Sequence, residues 1–177
     1  VSAAAAALDL KSFVRDVPDF PKKGIVFKDI TPLLADPRAL DETVRSLADA
    51  ARKVGARKVL AIESRGFIFG SAVAQVLGVG FVPVRKKGKL PRETLSVTYD
   101  LEYGTDTLEM HRDALAPGEP VVVVDDVLAT GGTAESVAKL VAQTGASLKG
   151  FGFVIELDFL KGRDRLKSWP VHSLIHY

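Results

Sequence analysis

Apolar residues recur along this chain with two periods, and the alternation between them predicts the order of its elements. In "ADPRALDETVRSLADAARKVG" the residues Leu40, Val44, Leu47, Ala51 and Val54 fall on one helical face. Asp36 precedes that face as a cap, Pro37 takes the first helical position and Gly55 ends it. "KVLAIE" then reads as a short strand. "GFIFGSAVAQVLG" is apolar all round and reads as a buried helix ending at Gly78, and "VGFVPVR" reads as the next strand. "TLSVTYDLEYGTDTLEMH" alternates around a Gly-Thr turn, which predicts a hairpin or a loose flap. "PVVVVDD" is the most hydrophobic strand. In "TAESVAKLVAQTG" the residues Ala134, Val137, Ala138 and Val141 share a face up to Gly145. "LKGFGFVIEL", a short basic helix and "VHSLIHY" complete the pattern.

Strands alternating with helices imply an α/β fold, with a parallel sheet covered on both faces. Near-continuous apolar strands such as 121–124 agree with that. In such folds ligands bind beyond the carboxyl ends of the strands. Glu63, Ser64, Arg65, Arg85, Asp125 and Asp126 all fall at predicted strand ends, placed to meet in one crevice.

Composition narrows the class. With 177 residues the chain is most simply one domain, and a net charge of +2 does not call for nucleic acid. There is no cysteine, which removes disulfides and thiolate metal sites and fits a reducing compartment. No apolar run is long enough to span a bilayer. "VSAAAAALDL" lacks the pattern of a secretory signal, so the expected location is the cytoplasm. His111, His172 and His176 have no metal-ligand spacing and read as structural or exposed.

The stretch "VVVVDDVLATGGTAES" carries the chemistry. Ala129, Thr130, Gly131, Gly132 and Thr133 form a loop that opens a helix, offering backbone N–H groups and hydroxyls to a phosphate monoester. Gly-Lys-Ser/Thr is absent, so this is not a Walker loop. On the glycines alone a plain strand-turn-helix joint, capped by Thr130, stands equally. The acids Asp125 and Asp126 decide between them. Two adjacent carboxylates suit the 2′ and 3′ hydroxyls of a ribose whose 5′-phosphate lies in the loop, and they can sit near Mg²⁺. Arg65 at a helix start is an odd place for a cation unless an anion joins it. "VRKKGKLPR" gathers Arg85, Lys86, Lys87 and Lys89, alone no more than a solvated basic loop or a weak nucleic-acid patch.

The strand, the acid pair and "VLATGGT" together resemble the signature of the type I phosphoribosyltransferases, which use 5-phosphoribosyl-1-pyrophosphate (PRPP). "PDFPKKGIVFKDITPLL", "ESRGFIFG", "RKKGKLP", "YDLEYG" and "VIELDFLKGR" follow in the order and spacing of the members that act on adenine, over roughly residues 12 to 177. The resemblance implies a mainly parallel central sheet flanked by helices, in a single domain over 1–177. A small hood would come from about residues 1–35 and a flexible flap from about 90–110. It implies conversion of adenine and PRPP to AMP and pyrophosphate with Mg²⁺, by a homodimer without nucleic-acid or membrane partners. Ser64, Arg65, Gly66, Arg85, Lys86 and Lys89 would grip pyrophosphate, with Arg65 also counted as catalytic. Asp125, Asp126 and residues 129–133 would hold ribose and phosphate, and Mg²⁺ would be bound mainly through PRPP and water. Val26, Phe27, Lys28 and Leu157 would form the adenine pocket, with Lys28 standing where relatives carry arginine. Glu102 of "LEYG" would exchange a proton with the base. The resemblance also implies a tight turn at Glu63–Ser64 that can hold a cis non-proline peptide.

Two rivals differ in what they require. A phosphoribosyltransferase for a 6-oxopurine usually has an acid where Ala129 stands; that substitution and the "LEYG" flap argue against xanthine and similar bases. A non-catalytic PRPP-binding regulator typically joins this module to a DNA-binding region, for which the expected hood leaves no room.

Overall fold

The computed structural model describes residues 8–100 and 104–177. It divides into two compact units, Val1–Val44 and Arg45–Tyr177. In the first, strands β1 (Arg15–Pro18) and β2 (Val26–Asp29) pair antiparallel as a hairpin, with Phe20 edge-on to Phe27 at 5.2 Å. A short helix α1 (Thr31–Ala35), not anticipated from the pattern, begins where Asp29 accepts bonds from the Thr31 amide and hydroxyl, both at 2.9 Å. Helix α2 (Pro37–Lys53) starts as its sequence predicts: Asp36 Oδ1 accepts from the amides of Arg38 and Ala39 at 2.9 and 3.0 Å. The Ala39 bond is the main reason the Asp36 carboxyl sits below its ordinary pKa.

The second unit is built on a seven-stranded sheet. Its strands are β3 (Lys58–Ile62), β4 (Gly80–Lys86), β5 (Thr94–Asp100), β6 (Thr105–His111), β7 (Pro120–Leu128), β8 (Ser147–Glu156) and β9 (Val171–His176), in the order β5-β6-β4-β3-β7-β8-β9. The five from β4 to β9 run parallel, while β6 is antiparallel to β4 and β5. From β3 the chain crosses through α3 (Arg65–Leu77) to β4 on one side. From β7 it crosses through α4 (Gly132–Thr144) to β8 on the other. The two crossovers diverge between β3 and β7, which makes that junction the switch point where open α/β sheets bind ligands.

The four valines 121–124 are buried, as a strand covered on both faces requires. Val121 and Val123 join the α4 core with Val137 and Val141, whereas Val122 and Val124 face the cavity beneath Leu47 of α2. Three sequence expectations need correction. Helix α3 is not buried all round: Gly66, Phe69, Gly70, Val73 and Ala74 are, but Ile68 and Val76 are 42% and 43% exposed, because only one face meets the sheet. The basic stretch after β8 forms two short 3-10 turns, Asp158–Leu160 and Gly162–Leu166, and no α-helix. The acids 125 and 126 lie inside β7, which runs on to Leu128 because residues 125, 127 and 128 still pair with β8.

Candidate active site

The loop expected to hold phosphate lies directly after β7. Gly131 is the N-cap of α4 with φ of 83°, a left-handed conformation that favours glycine, so Thr130 is not the cap. The first intrahelical bond runs from the Glu135 amide to the Gly131 carbonyl at 2.9 Å, leaving the preceding amides of the turn to a ligand. The loop is backed by main chain. A Cβ on Gly131 would lie 2.5 Å from the Gly162 carbonyl, and one on Gly162 only 2.1 Å from the Ala129 carbonyl. Two ion pairs hold the Gly162 segment there. Arg163 donates to Glu156 on β8 at 2.9 and 2.5 Å, and Arg165 to Glu135 on α4 at 3.0 Å. Thr130 is exposed at the mouth of a cavity of about 80 Å³, which Asp125, Ala129, Gly131 and Thr133 also line. Gly162, Arg163 and Glu156 were missed in the sequence; "VIELDFLKGR" was their only trace.

Asp125 and Asp126 enter this site from opposite faces of β7. Asp125 Oδ1 accepts from the Asp126 amide at 2.9 Å. Burial first, and then the neighbouring Asp126 carboxylate, push the Asp125 carboxyl well above its ordinary pKa. Asp126 is buried and ion-paired to Arg65, the first residue of α3. This brings the expected ribose and pyrophosphate residues together across the β3/β7 switch point. Gly66 is part of the same approach, since a Cβ there would stand 2.6 Å from Asp125 Oδ1. The peptide between Glu63 and Ser64 is cis, and Ser64 stands at the N-cap position of α3 without a side-chain capping bond.

Arg85 and Lys86 end β4 and Lys89 follows it, and each is anchored by an acid. Arg85 Nε and Lys89 Nζ reach Glu63 at 2.6 and 2.9 Å; Lys86 Nζ reaches Asp106 at 3.0 Å, a bond that raises the lysine's pKa. Burial raises the Glu63 pKa, but the bonds from Lys89, Arg85 and the Lys86 amide together outweigh it and leave the carboxyl below its ordinary value. Asp106 behaves alike, with Lys86 and the Thr107 amide outweighing burial.

In the segment expected as a flap, β5 and β6 pair antiparallel, with Tyr99 opposite Asp106. Tyr99, also missed in the sequence, lies against the phosphate loop: a Cβ on Gly132 would be 4.0 Å from its ring. Burial raises the phenol's pKa, partly offset by the Thr133 hydroxyl. Glu102 falls outside the described residues. Of the expected adenine residues, Val26, Phe27 and Lys28 lie on β2 in the first unit. Val26 is 50% exposed, and Lys28 bonds Asp16 at 2.7 Å. Leu157 lies in the second unit, just after β8, its amide on the Leu128 carbonyl at 2.9 Å.

Among the described residues one group of three potential metal ligands occurs, Glu156, Asp158 and His176. Arg163 and Ser173 already occupy Glu156, and His176 Nδ1 is 3.0 Å from Asp158, so the group reads as a hydrogen-bonded joint between β8 and β9. A cavity of about 460 Å³ under α2, bordered by Leu47, Val124, Phe151 and His172, contains none of the expected site residues.

The glycine loop and acid pair thus meet at the switch point of the sheet, where the sequence leads one to expect them. The chain belongs to the phosphoribosyl transferase domain family, whose model matches residues 33–171. Within that family it falls among the adenine phosphoribosyltransferases. It is 57% identical over 169 residues to the adenine phosphoribosyltransferase of Solibacter usitatus, covering 96% of this chain and 98% of that one. The crystal structure of the enzyme from Thermoanaerobacter pseudethanolicus matches with a TM-score of 0.92 at 52% identity, covering 95% of this chain and 98% of that one. The Saccharomyces cerevisiae enzyme, solved with adenine and an imino-altritol bisphosphate, matches with a TM-score of 0.88 at 44% identity, covering 93% and 96%. The fold is accordingly the type I phosphoribosyltransferase fold.

Proposed function

We infer that this protein is a purine salvage enzyme that transfers the phosphoribosyl group of PRPP to adenine, giving AMP and pyrophosphate. The observation that carries the reading is the meeting, at one switch point, of the glycine loop 129–133, the acid pair on β7 and Arg65 on α3. In the reaction the bond from C1 of the ribose to pyrophosphate breaks, the leaving group keeps the electron pair, and a ring nitrogen of adenine bonds to C1. The transition state has oxocarbenium character, as at other glycosidic carbons.

The proposed roles follow from chemistry and position. The amides and hydroxyls of Ala129–Thr133 hold the 5′-phosphate, and Asp125 and Asp126 accept from the ribose hydroxyls. Arg65, Ser64, Gly66, Arg85, Lys86 and Lys89 neutralise the departing pyrophosphate. Glu102 takes the proton released by the base. Val26, Phe27, Lys28 and Leu157 are proposed for the adenine pocket. Lys28 donates to Asp16, and recognition of the base through the backbone does not require its side chain.

Mg²⁺ fits as a cofactor in one manner only. Asp126 is engaged with Arg65, and the half-buried Asp125 beside it accepts from the Asp126 amide, so both carboxylates already have protein partners. An ion held mainly by PRPP oxygens and water, near these two carboxylates, suits that arrangement. When bound it would supply charge neutralisation on the pyrophosphate.

A homodimer and a cytoplasmic location belong to the same proposal. The exposed apolar side chains Ile68 and Val76 on α3 support a partner subunit, and the absence of cysteine suits a reducing compartment. Sedimentation of the protein tests the first. The decisive test of the reaction is to incubate the protein with PRPP, Mg²⁺ and each purine base in turn and follow nucleotide formation. Adenine should be converted fastest. Faster conversion of hypoxanthine, guanine or xanthine would overturn the base assignment, and binding of PRPP without turnover would point to the regulator.

A further inference from the structure

Two segments are proposed above for pyrophosphate, residues 64–66 where α3 begins and residues 85–89 where β4 ends. One carboxylate joins them. Glu63 immediately precedes the first segment, and its amide bonds the Val84 carbonyl at 3.0 Å, continuing the β3/β4 register. Its side chain is 6% exposed and receives three donors from the second segment. Arg85 Nε bonds Oε2 at 2.6 Å, while Lys89 Nζ and the Lys86 amide bond Oε1 at 2.9 and 3.2 Å. Arg85 Nη1 also reaches the Lys89 carbonyl at 3.2 Å, which closes the loop on itself.

Placing an acid where an anion must bind is unfavourable by charge alone. The geometry indicates what it offsets. An ammonium has three donors and a guanidinium five, so one bond to Glu63 leaves the others for a ligand. The long side chains of Arg85 and Lys89 would otherwise lose rotamer freedom on each binding event. We propose that Glu63 is a positioning residue for the reaction: by holding Arg85, Lys89 and the Lys86 amide on one buried carboxylate, it presets the basic loop 85–89 against the start of α3 for the pyrophosphate of PRPP. Glu63 touches no reacting atom and acts through these cations.

The proposal rests on the pyrophosphate assignment, and its experiment separates the two. Titration of the wild type with magnesium pyrophosphate examines the assignment by itself; no binding there would sink that reading. The sign of the change in Glu63→Gln examines the inference. If Glu63 is only a nearby negative charge, its loss strengthens anion binding. If it positions the loop, its loss weakens binding of pyrophosphate and raises KM for PRPP by about tenfold, as for a lost charge-assisted bond. KM for adenine should not change. Glu63→Asp keeps the charge but is one methylene short of its partners, and should fall between the wild type and Glu63→Gln. Tighter or unchanged pyrophosphate binding in a folded Glu63→Gln would overturn the proposal. So would an equal rise in both KM values in Glu63→Asp, which remains the informative variant if Glu63→Gln does not fold.

Discussion

The two regions proposed to receive phosphate groups are built in opposite ways. The loop 129–133 has no charged side chain. It relies on main-chain amides at a helix start, shaped by glycine–glycine contact with the 162 segment. The loop 85–89 is nearly all charge, and its shape comes from acids elsewhere in the fold: Glu63, Asp106 and Glu109, the last accepting from the Gly88 amide at 2.9 Å. The difference matches the two tasks. A monoester that stays with the product through the reaction suits a rigid cradle. A pyrophosphate that must enter bound to sugar and leave alone suits charged arms that keep spare donors.

The largest expected effect attacks the rigid cradle from behind. In Gly162→Ala the new methyl would stand 2.1 Å from the Ala129 carbonyl, so the phosphate loop must move. Misplacing a binding group by an ångström can cost about 100-fold, and kcat/KM for PRPP should fall by that order, with destabilisation of about 1–3 kcal/mol from overpacking. Near-normal kinetics would show that the cradle is not rigid.

Asp126→Asn comes next, because it removes both a proposed ribose acceptor and the partner of Arg65. The expected loss is about 1.5–3 kcal/mol of PRPP binding. Read by titration alongside a melting curve, a large fall in melting temperature with unchanged affinity would assign the acid to the fold. Glu102→Gln should lower kcat by about tenfold or more with PRPP binding retained, as expected for a general base. Single-turnover rates would check it, and an unchanged rate would make Glu102 a surface acid.

Two smaller effects sharpen the contrast. Raising ionic strength should weaken pyrophosphate binding more than AMP binding, since the basic loop is exposed to screening and the amide cradle carries no net charge. Parallel titrations at two salt concentrations decide it. Asp125→Asn should stabilise the free protein slightly at neutral pH while impairing PRPP use. Its carboxyl has a raised folded pKa, so the native state holds the proton more tightly than the unfolded chain does. Stability therefore falls as pH rises from the ordinary carboxyl value, 3.8, through the raised one. The amide has no such titration. Melting curves across that window should show a flatter profile for the variant, and an identical slope would mean that Asp125 is not the group responsible.

What could be read from the chain follows the same division. The period of the apolar residues, the cap at Asp36 and the glycine stops at Gly55, Gly78 and Gly145 determined the elements, because each is a local preference of a few neighbouring residues. The glycine loop with its acid pair was legible for that reason: strand, carboxylates, cradle and helix are consecutive. Where the reading went astray, distant partners decided. The exposed face of α3 depends on which side the sheet covers, and β7 extends past its acids because β8 is there to pair with it. Nothing near Gly162 in sequence announces that it backs a loop some thirty residues earlier, and nothing near Glu63 announces that Arg85 and Lys89 will close on it. The sequence alone determined the chemistry carried by contiguous residues. Only the tertiary structure, by packing β3 between β4 and β7, decided which charges meet, since Coulombic and steric contacts depend on separation in space and not along the chain.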